Sequence, residues 1–204
     1  RRQGQMAVKL PNPKYIPKPY EQMQYPGQRV QIDVKFVPES CIVGEAKGQK
    51  FYQYTAIDEY SRFRYLEAFE EHSSYSSAQF LKHLIEKFPF KIECVQTDNG
   101  MEFTKQLGNT QKPTPTLFER TLEQCGIRHK LIAPYTPRHN GKVERSHRKD
   151  NEYFYATHSF YSFEDFKKQL SVHNRRYNNF PMRPLNWKSP ADYLKAFLIN
   201  GEVF

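Results

Sequence analysis

Apolar and polar residues alternate in "RVQIDVKFV" (29–37), with Val30, Ile32, Val34 and Phe36 on one side and Gln31, Asp33 and Lys35 on the other. A period of two is that of a strand with one face in a core. "KFYQYTAID" (50–58) and "FRYLEAFE" (63–70) are two more β-rich runs, and "EYSR" (59–62) between them predicts a hairpin. The period changes over 73–88. Ala78, Leu81, Ile85 and Phe88 recur at helical spacing, Leu84 widens the stripe, and Ser73 or Ser74 can cap the start. "KIECVQ" (91–96) predicts a short buried strand ending at "TDNG".

After a polar loop over 108–116, Thr116 and Glu119 fit a capping box. Leu117, Phe118, Leu122 and Cys125 continue as a helical stripe that Gly126 stops, and "IRHKLI" (127–132) is a fifth strand. Pro137 to Gly141 approach a stretch without breakers, 142–160, which predicts one long helix. Ser162 and Asp165 open an amphipathic helix carrying Phe163, Phe166, Leu170 and Tyr177, and Ser189-Pro190-Ala191-Asp192 caps a short last one. Trp187, the only tryptophan, is expected to anchor this tail in the core rather than to stack on a base. Three strands, then helix, strand, helix, strand and helices make an α/β protein with a mixed sheet, not a strictly alternating βαβ fold. Residues 1–27 hold five prolines and almost no periodicity, so they are expected to be an extended arm.

Charge sharpens this picture. The chain has 204 residues and a net charge of +9, unevenly spread. Seven Lys/Arg stand against two acids over 128–150 and seven against three over 164–195, whereas 39–71 is acidic. Separated basic zones suit a polyanion, most often nucleic acid. No apolar run approaches membrane-spanning length, and the three isolated cysteines offer neither a disulfide framework nor a zinc ribbon. A reducing, cytoplasmic setting is expected, with no membrane partner.

Three acids stand out. Asp33 interrupts a strand, where aspartate fits poorly unless it has a task. Asp98 follows a strand, yet Asp-Asn-Gly is also ordinary turn chemistry. Glu144 sits among Arg138, Lys142, Arg145, Arg148 and Lys149, and could simply pair with Arg148 one turn on. Taken together, two strand aspartates and a helix glutamate can converge at one edge of a sheet. Three hard oxygen donors suit Mg²⁺ or Mn²⁺. Two such ions about 4 Å apart can clamp the attacking and leaving oxygens of a phosphodiester.

"VQIDVKFV", "QTDNGMEF" and "TPRHNGKVERSHR" closely resemble the three blocks of the integrase catalytic core of DDE transposases, the insertion-sequence enzymes related to retroviral integrases. "YNNFPMRPLNWKSPADYL" (177–194) resembles the tail that follows this core in bacterial transposases, so the likeness runs from about residue 25 to 195. The resemblance implies an RNase H-like fold, a five-stranded mixed sheet flanked by helices. It implies a catalytic core over 28–160 and a helical extension over 161–204 packed on it. It also implies that Asp33, Asp98 and Glu144 bind two Mg²⁺ or Mn²⁺ ions for DNA 3′-end cleavage and strand transfer. The expected partners are transposon ends and target DNA at a bacterial nucleoid, within a homo-oligomer. Two departures stand out. Forty-five residues separate Asp98 from Glu144, more than the family's usual gap, with the loop around 106–116 as the place for an insertion. The helix-turn-helix region of a full transposase and the zinc domain of retroviral integrases are absent, so recognition of element ends is expected to lie outside this chain.

Helical spacing sets Arg148 and Asn151 beside Glu144. Arg138, His139, Asn140, Lys142, Arg145, Arg148, Lys149 and Asn151 are the candidate DNA contacts. Asn99 and Gly100 are expected to shape the turn that aims Asp98, and His83, His129 and His158 to have structural or surface roles. Two other functions remain open: a different RNase H-like nuclease, and an inactive or domesticated integrase-like domain that only binds DNA.

Overall fold

A computed structural model describes residues 21–105, 114–132 and 140–199. Strand β1 (Val30–Phe36) is the middle of a five-stranded sheet, flanked by β2 (Tyr52–Asp58) and β4 (Cys94–Thr97). Strands β3 (Arg64–Phe69) and β5 (Arg128–Leu131) form its edges. Pairings β1–β2 and β2–β3 are antiparallel, β1–β4 and β4–β5 parallel, so the sheet is mixed as expected.

Alternation along each strand sorts side chains into two cores. Val30, Ile32, Tyr54, Ala56 and Val95 face helices α1 (Ser74–Lys87) and α2 (Leu117–Gln124), whose Phe80, Leu81, Leu84, Phe118 and Leu122 are buried against them. On the other face, Leu66, Ala68 and Phe51 meet Phe154, Tyr155 and Phe160, with Phe166 and Leu170 of α4 (Phe163–Asn178). The result is three layers, helices on both sides of a sheet. Each buried Leu or Phe contributes about 1.5–3 kcal/mol. The helix starts follow the local chemistry. Ser73, Thr116 and Ser162 each accept a backbone N–H three residues on, and Glu119 completes the capping box at α2. Ser189 accepts from Asp192 at the start of α5 (Pro190–Ile199).

Helix α3 (Gly141–Asp150) docks differently, because it has little apolar surface to offer. Val143 is its one buried apolar residue, and Ser146 and Asp150 turn inward with it. Arg64, 1% exposed, donates to Ser146 Oγ at 2.7 Å and to Asp150 Oδ1 at 2.8 Å. Gln53 and His173 complete the cage around the Asp150 carboxylate, and the Arg64 guanidinium lies 3.8 Å from the Tyr177 ring centroid. Burial alone would raise the Asp150 pKa. The charge of Arg64 and the bonds from His173 and Gln53 outweigh it and hold the carboxyl well below the usual range.

Four findings depart from the expectations. The long helix over 142–160 does not form. α3 passes at Asn151–Tyr155 into a π-helical turn, which brings the successive residues Phe154 and Tyr155 both into the core. Trp187 is not a core anchor, being 70% exposed, whereas Leu185, Ser189 and Pro190 around it are buried. Lys91 to Glu93 precede β4 rather than belong to it, since Glu93 N bonds to Gly27 O. Residues at the end of the expected arm pack on the sheet. Met23 is buried, and the Gly27 N–H donates to Asp58 Oδ1. At Gly27 only glycine fits, because φ is +83° and a Cβ would lie 1.9 Å from Lys91 O. Residues 1–20 of that arm lie outside the described residues.

Asp150→Ala leaves the Arg64 charge buried and unpaired, and should cost about 3–5 kcal/mol in urea unfolding. Because the native Asp150 pKa is depressed, its contribution is present above the unfolded carboxylate pKa of about 4 and is lost as pH falls below it. The wild-type protein should therefore lose stability toward acid more steeply than Asp150→Asn does.

Candidate functional site

The β1–β4 register pairs Val30 with Val95 and Gln31 with Gln96. Continued by two residues, it sets Asp33 level with Asp98, the first residue past β4. Helix α3 lies across β1 and β2 and carries Glu144. Its start is fixed by β1 itself. The Gln31 side-chain oxygen accepts from Lys142 N and Val143 N, each at 3.1 Å, and so caps the helix from a neighbouring strand. The Gln31 amide donates to Glu59 Oε1 at 2.9 Å. Gln31 and Asp33 share one face of β1, so a single strand supplies one acid and holds the helix that supplies another. One turn into α3, His147 Nδ1 lies 3.4 Å from Asp33 Oδ2, and its Nε2 lies 2.9 Å from Thr55 Oγ1.

The loop after β4 is tightly wound. Gly100 N donates to Asp98 Oδ1, Phe103 N and Thr104 N both donate to Gly100 O, and Asn99 Nδ2 donates to Ile132 O. Phe103 is fully buried, its carbonyl accepts from Thr116 Oγ1, and Thr104 Oγ1 donates to Glu119. The loop bearing Asp98 is thereby pinned to the α2 cap. The Glu102 carboxylate covers Gly100 so closely that a Cβ there would lie 2.5 Å from its oxygen, and it pairs with His72 at 2.8 Å.

The three acids share one electrostatic neighbourhood. Crowding by surrounding protein pushes Asp98 up, the charges of Asp33 and Glu102 add to this, and the Gly100 N–H and His72 partly offset it. Desolvation and then the charge of Asp33 push Glu144 up, against His147. Asp33 is thus the common neighbour whose charge reaches both other carboxylates. Among the described residues no three acidic, histidine or cysteine side chains meet closely enough to hold a metal ion between them. The donor chemistry does fit a divalent cation: three hard carboxylates, one of which makes the other two harder to ionise until positive charge arrives.

The cations divide into inward and outward groups. Lys142, a candidate DNA contact, turns inward: its ammonium, 17% exposed, donates to the Glu59 carbonyl at 2.5 Å and lies 3.4 Å from the Glu59 carboxylate. Asn140 is buried. Lys149 is exposed but pairs with Glu152 at 2.7 Å and lies over the Tyr153 ring. Arg145, Arg148 and Asn151 are exposed, as is Glu144. Arg138 and His139 lie outside the described residues. His83 pairs with Glu67, His129 packs on Phe118, and His158 bonds to the Phe154 carbonyl. The sequence reading missed Gln31, Glu102, His72 and the contact of His147 with Asp33. Only His147, one turn from Glu144, had a helical spacing that pointed to it.

The integrase core domain model matches residues 24–137, more than half of the chain, and a second integrase core domain model matches residues 125–190. The chain belongs to the integrase core domain family. The candidate integrase ORF3 of Spiroplasma virus SpV1-C74 is 27% identical over 175 residues, covering 82% of this chain. The chain spans 47% of that relative's length. Three solved structures share the fold, each covering 83–85% of this integrase core. A chain of the simian T-cell lymphotropic virus intasome matches with TM-score 0.65 at 19% identity, over 56% of its own length. The HTLV-2 integrase catalytic core domain, solved with magnesium in a trimeric form, matches with TM-score 0.59 at 18% identity, over 97%. The BIV integrase catalytic core domain matches with TM-score 0.57 at 19% identity, over 98%. The five-stranded mixed sheet flanked by helices is thus the RNase H-like fold of integrase cores.

A raised native pKa means that folding favours the protonated acid. That contribution is complete below the unfolded carboxylate pKa and is lost as pH rises through the native value. Asp98→Asn, which keeps the acceptor for Gly100 N–H, should therefore raise the thermal midpoint of the metal-free protein at neutral pH. Millimolar Mg²⁺ should raise the wild-type midpoint and leave Asp98→Asn almost unmoved. A variant with the full Mg²⁺ shift would remove Asp98 from the ligand set.

Gln31→Ala strips the acceptor from two helix N–H groups and should cost about 1–3 kcal/mol. It should also weaken the Mg²⁺ shift beyond what a distant mutation of equal stability cost produces, because Glu144 is delivered by that helix end.

Proposed function

We propose that this chain is the catalytic core of a transposase or integrase that cuts DNA at the 3′ ends of a mobile element and joins those ends to target DNA. The observation that carries this reading is geometric: Asp33 on β1 lies beside the strand that ends just before Asp98, and Glu144 stands on a helix laid across β1 and held there by Gln31. Membership of the integrase core domain family supports it, and the fold shared with a chain of the simian T-cell lymphotropic virus intasome is in keeping with it. When bound by Asp33, Asp98 and Glu144, a pair of Mg²⁺ or Mn²⁺ ions supplies activation of the attacking oxygen and neutralisation of the leaving one.

The chain's own part is positioning and charge. No side chain acts as nucleophile: the attacking group is water for 3′-end cleavage and the exposed DNA 3′-hydroxyl for joining. The new bond forms at phosphorus, and the old ester leaves as a 3′-oxygen. Exposed Arg145 and Arg148, beside Glu144 on α3, hold phosphates next to the acids, with Asn151 one turn further on. His147 steadies the Asp33 carboxylate. The active assembly we propose is a homo-oligomer pairing two element ends, acting in a bacterial cytoplasm on nucleoid DNA.

A test that does not need the element's end sequence uses a branched duplex with a free 3′-hydroxyl, where attack across the branch yields one continuous strand on a denaturing gel. We expect joining with Mg²⁺ or Mn²⁺, reduced by about 10²-fold or more in Asp98→Asn and Glu144→Gln, with DNA binding retained. Undiminished joining in either variant would sink the assignment. Cleavage of an RNA–DNA hybrid without joining of the branched duplex would favour the nuclease alternative. Arg148→Ala should weaken DNA binding and reduce its salt dependence by about one counterion.

A further inference from the structure

The tail holds a feature that the acids do not explain. Residues 182–188 close into a loop through Trp187 N to Met182 O and Met182 N to Lys188 O, both at 3.0 Å, with Leu185 buried beneath. Asn186 and Trp187 both adopt left-handed backbone, at φ 53° and 63°. Two successive non-glycine residues there are strained, and for a residue as bulky as tryptophan the strain is a true outlier. It does not serve burial, since Trp187 is the most exposed large apolar side chain among the described residues, at 70%. Phe180, shortly before the loop, is 62% exposed. The flanking sequence is basic. From residue 166 to 191 there is no Asp or Glu, and six Lys or Arg. All six are exposed, Arg183 and Lys188 within or beside the loop itself.

Exposed aromatic faces among unopposed cations are what single-stranded nucleic acid needs: π surfaces for bases and charge for phosphates. We propose that the Trp187 loop is a second nucleic-acid site, which stacks an unpaired DNA base on the indole and holds the adjoining phosphates with Arg183 and Lys188. This rests on the proposed function, because cutting one strand near a duplex end leaves an unpaired flank to be held.

Trp187 is the only tryptophan, so fluorescence excited at wavelengths that tyrosine does not absorb reports on this loop alone. The whole chain in metal-free buffer is titrated with labelled oligothymidylate, with an abasic strand of equal length, and with duplex. Emission and label anisotropy are read together. Oligothymidylate should quench the emission, and the abasic strand should not. Trp187→Ala should weaken oligothymidylate binding about tenfold, Trp187→Phe should recover most of it, and duplex binding should stay unchanged in both. Saturable binding of oligothymidylate by anisotropy, with emission and Trp187→Ala affinity unaltered, overturns the second site and leaves the catalytic reading standing. Failure to bind duplex as well as single strands overturns both. If Trp187→Ala instead changes only the oligomeric state on sizing, the loop is a protein contact and the inference falls.

Discussion

A helix that carries a candidate site acid, Glu144, has to be fastened to the sheet without a greasy face, and the architecture follows from how that is done. Helix α3 is polar nearly throughout, so ordinary apolar burial cannot hold it. Two buried polar anchors do so instead. Gln31 takes the first N–H groups of the helix, and the Arg64–Asp150 pair grips its last turn. Each anchor is costly when only half made, since a buried amide acceptor or guanidinium without its partner loses solvation with no return. This fixes where Glu144 stands relative to Asp33 with a specificity that sliding apolar surfaces would not give.

The rest of the site extends that constraint. Asp98 arrives on a loop wound round Gly100 and tied through Phe103 and Thr104 to the cap of α2. Helix, strand and loop thus each carry one carboxylate and are each held by hydrogen bonds outside the acids themselves. Asp150, buried, and Asp98, exposed at the rim of the sheet, show two fates of a carboxylate crowded by protein. Asp150 has a guanidinium and is held low, whereas desolvation and, after it, the charges of Asp33 and Glu102 push Asp98 up.

Lys142 and Trp187 show where residue type misleads. A lysine beside Glu144 in a basic run looks like a phosphate contact, yet its ammonium sits on Glu59. A lone tryptophan in an aromatic-rich chain looks like core, yet the backbone turns it to solvent. In both cases the deciding neighbour is far away in sequence or is a backbone torsion, and composition carries neither.

Features that act over a few residues were legible in the chain. The strand alternation around Val30, Ile32 and Val34, the stripes of α1 and α2, and the capping residues Ser73, Thr116 and Ser162 act within a few residues, so pattern sufficed. The acids stood out because Asp33 breaks a strand and Glu144 stands alone among cations, and their resemblance to the integrase core followed from those same short blocks. The π-helical turn that ends α3 was not legible, because it accompanies the burial of both Phe154 and Tyr155 in a core that draws on residues as distant as Cys41 and Phe51. Only the tertiary structure brought Gln31 to the start of α3, and set Glu102 and His72 beside the Asp98 loop. These are single long-range contacts between ordinary polar residues, and no periodicity marks a residue whose partner lies on another element.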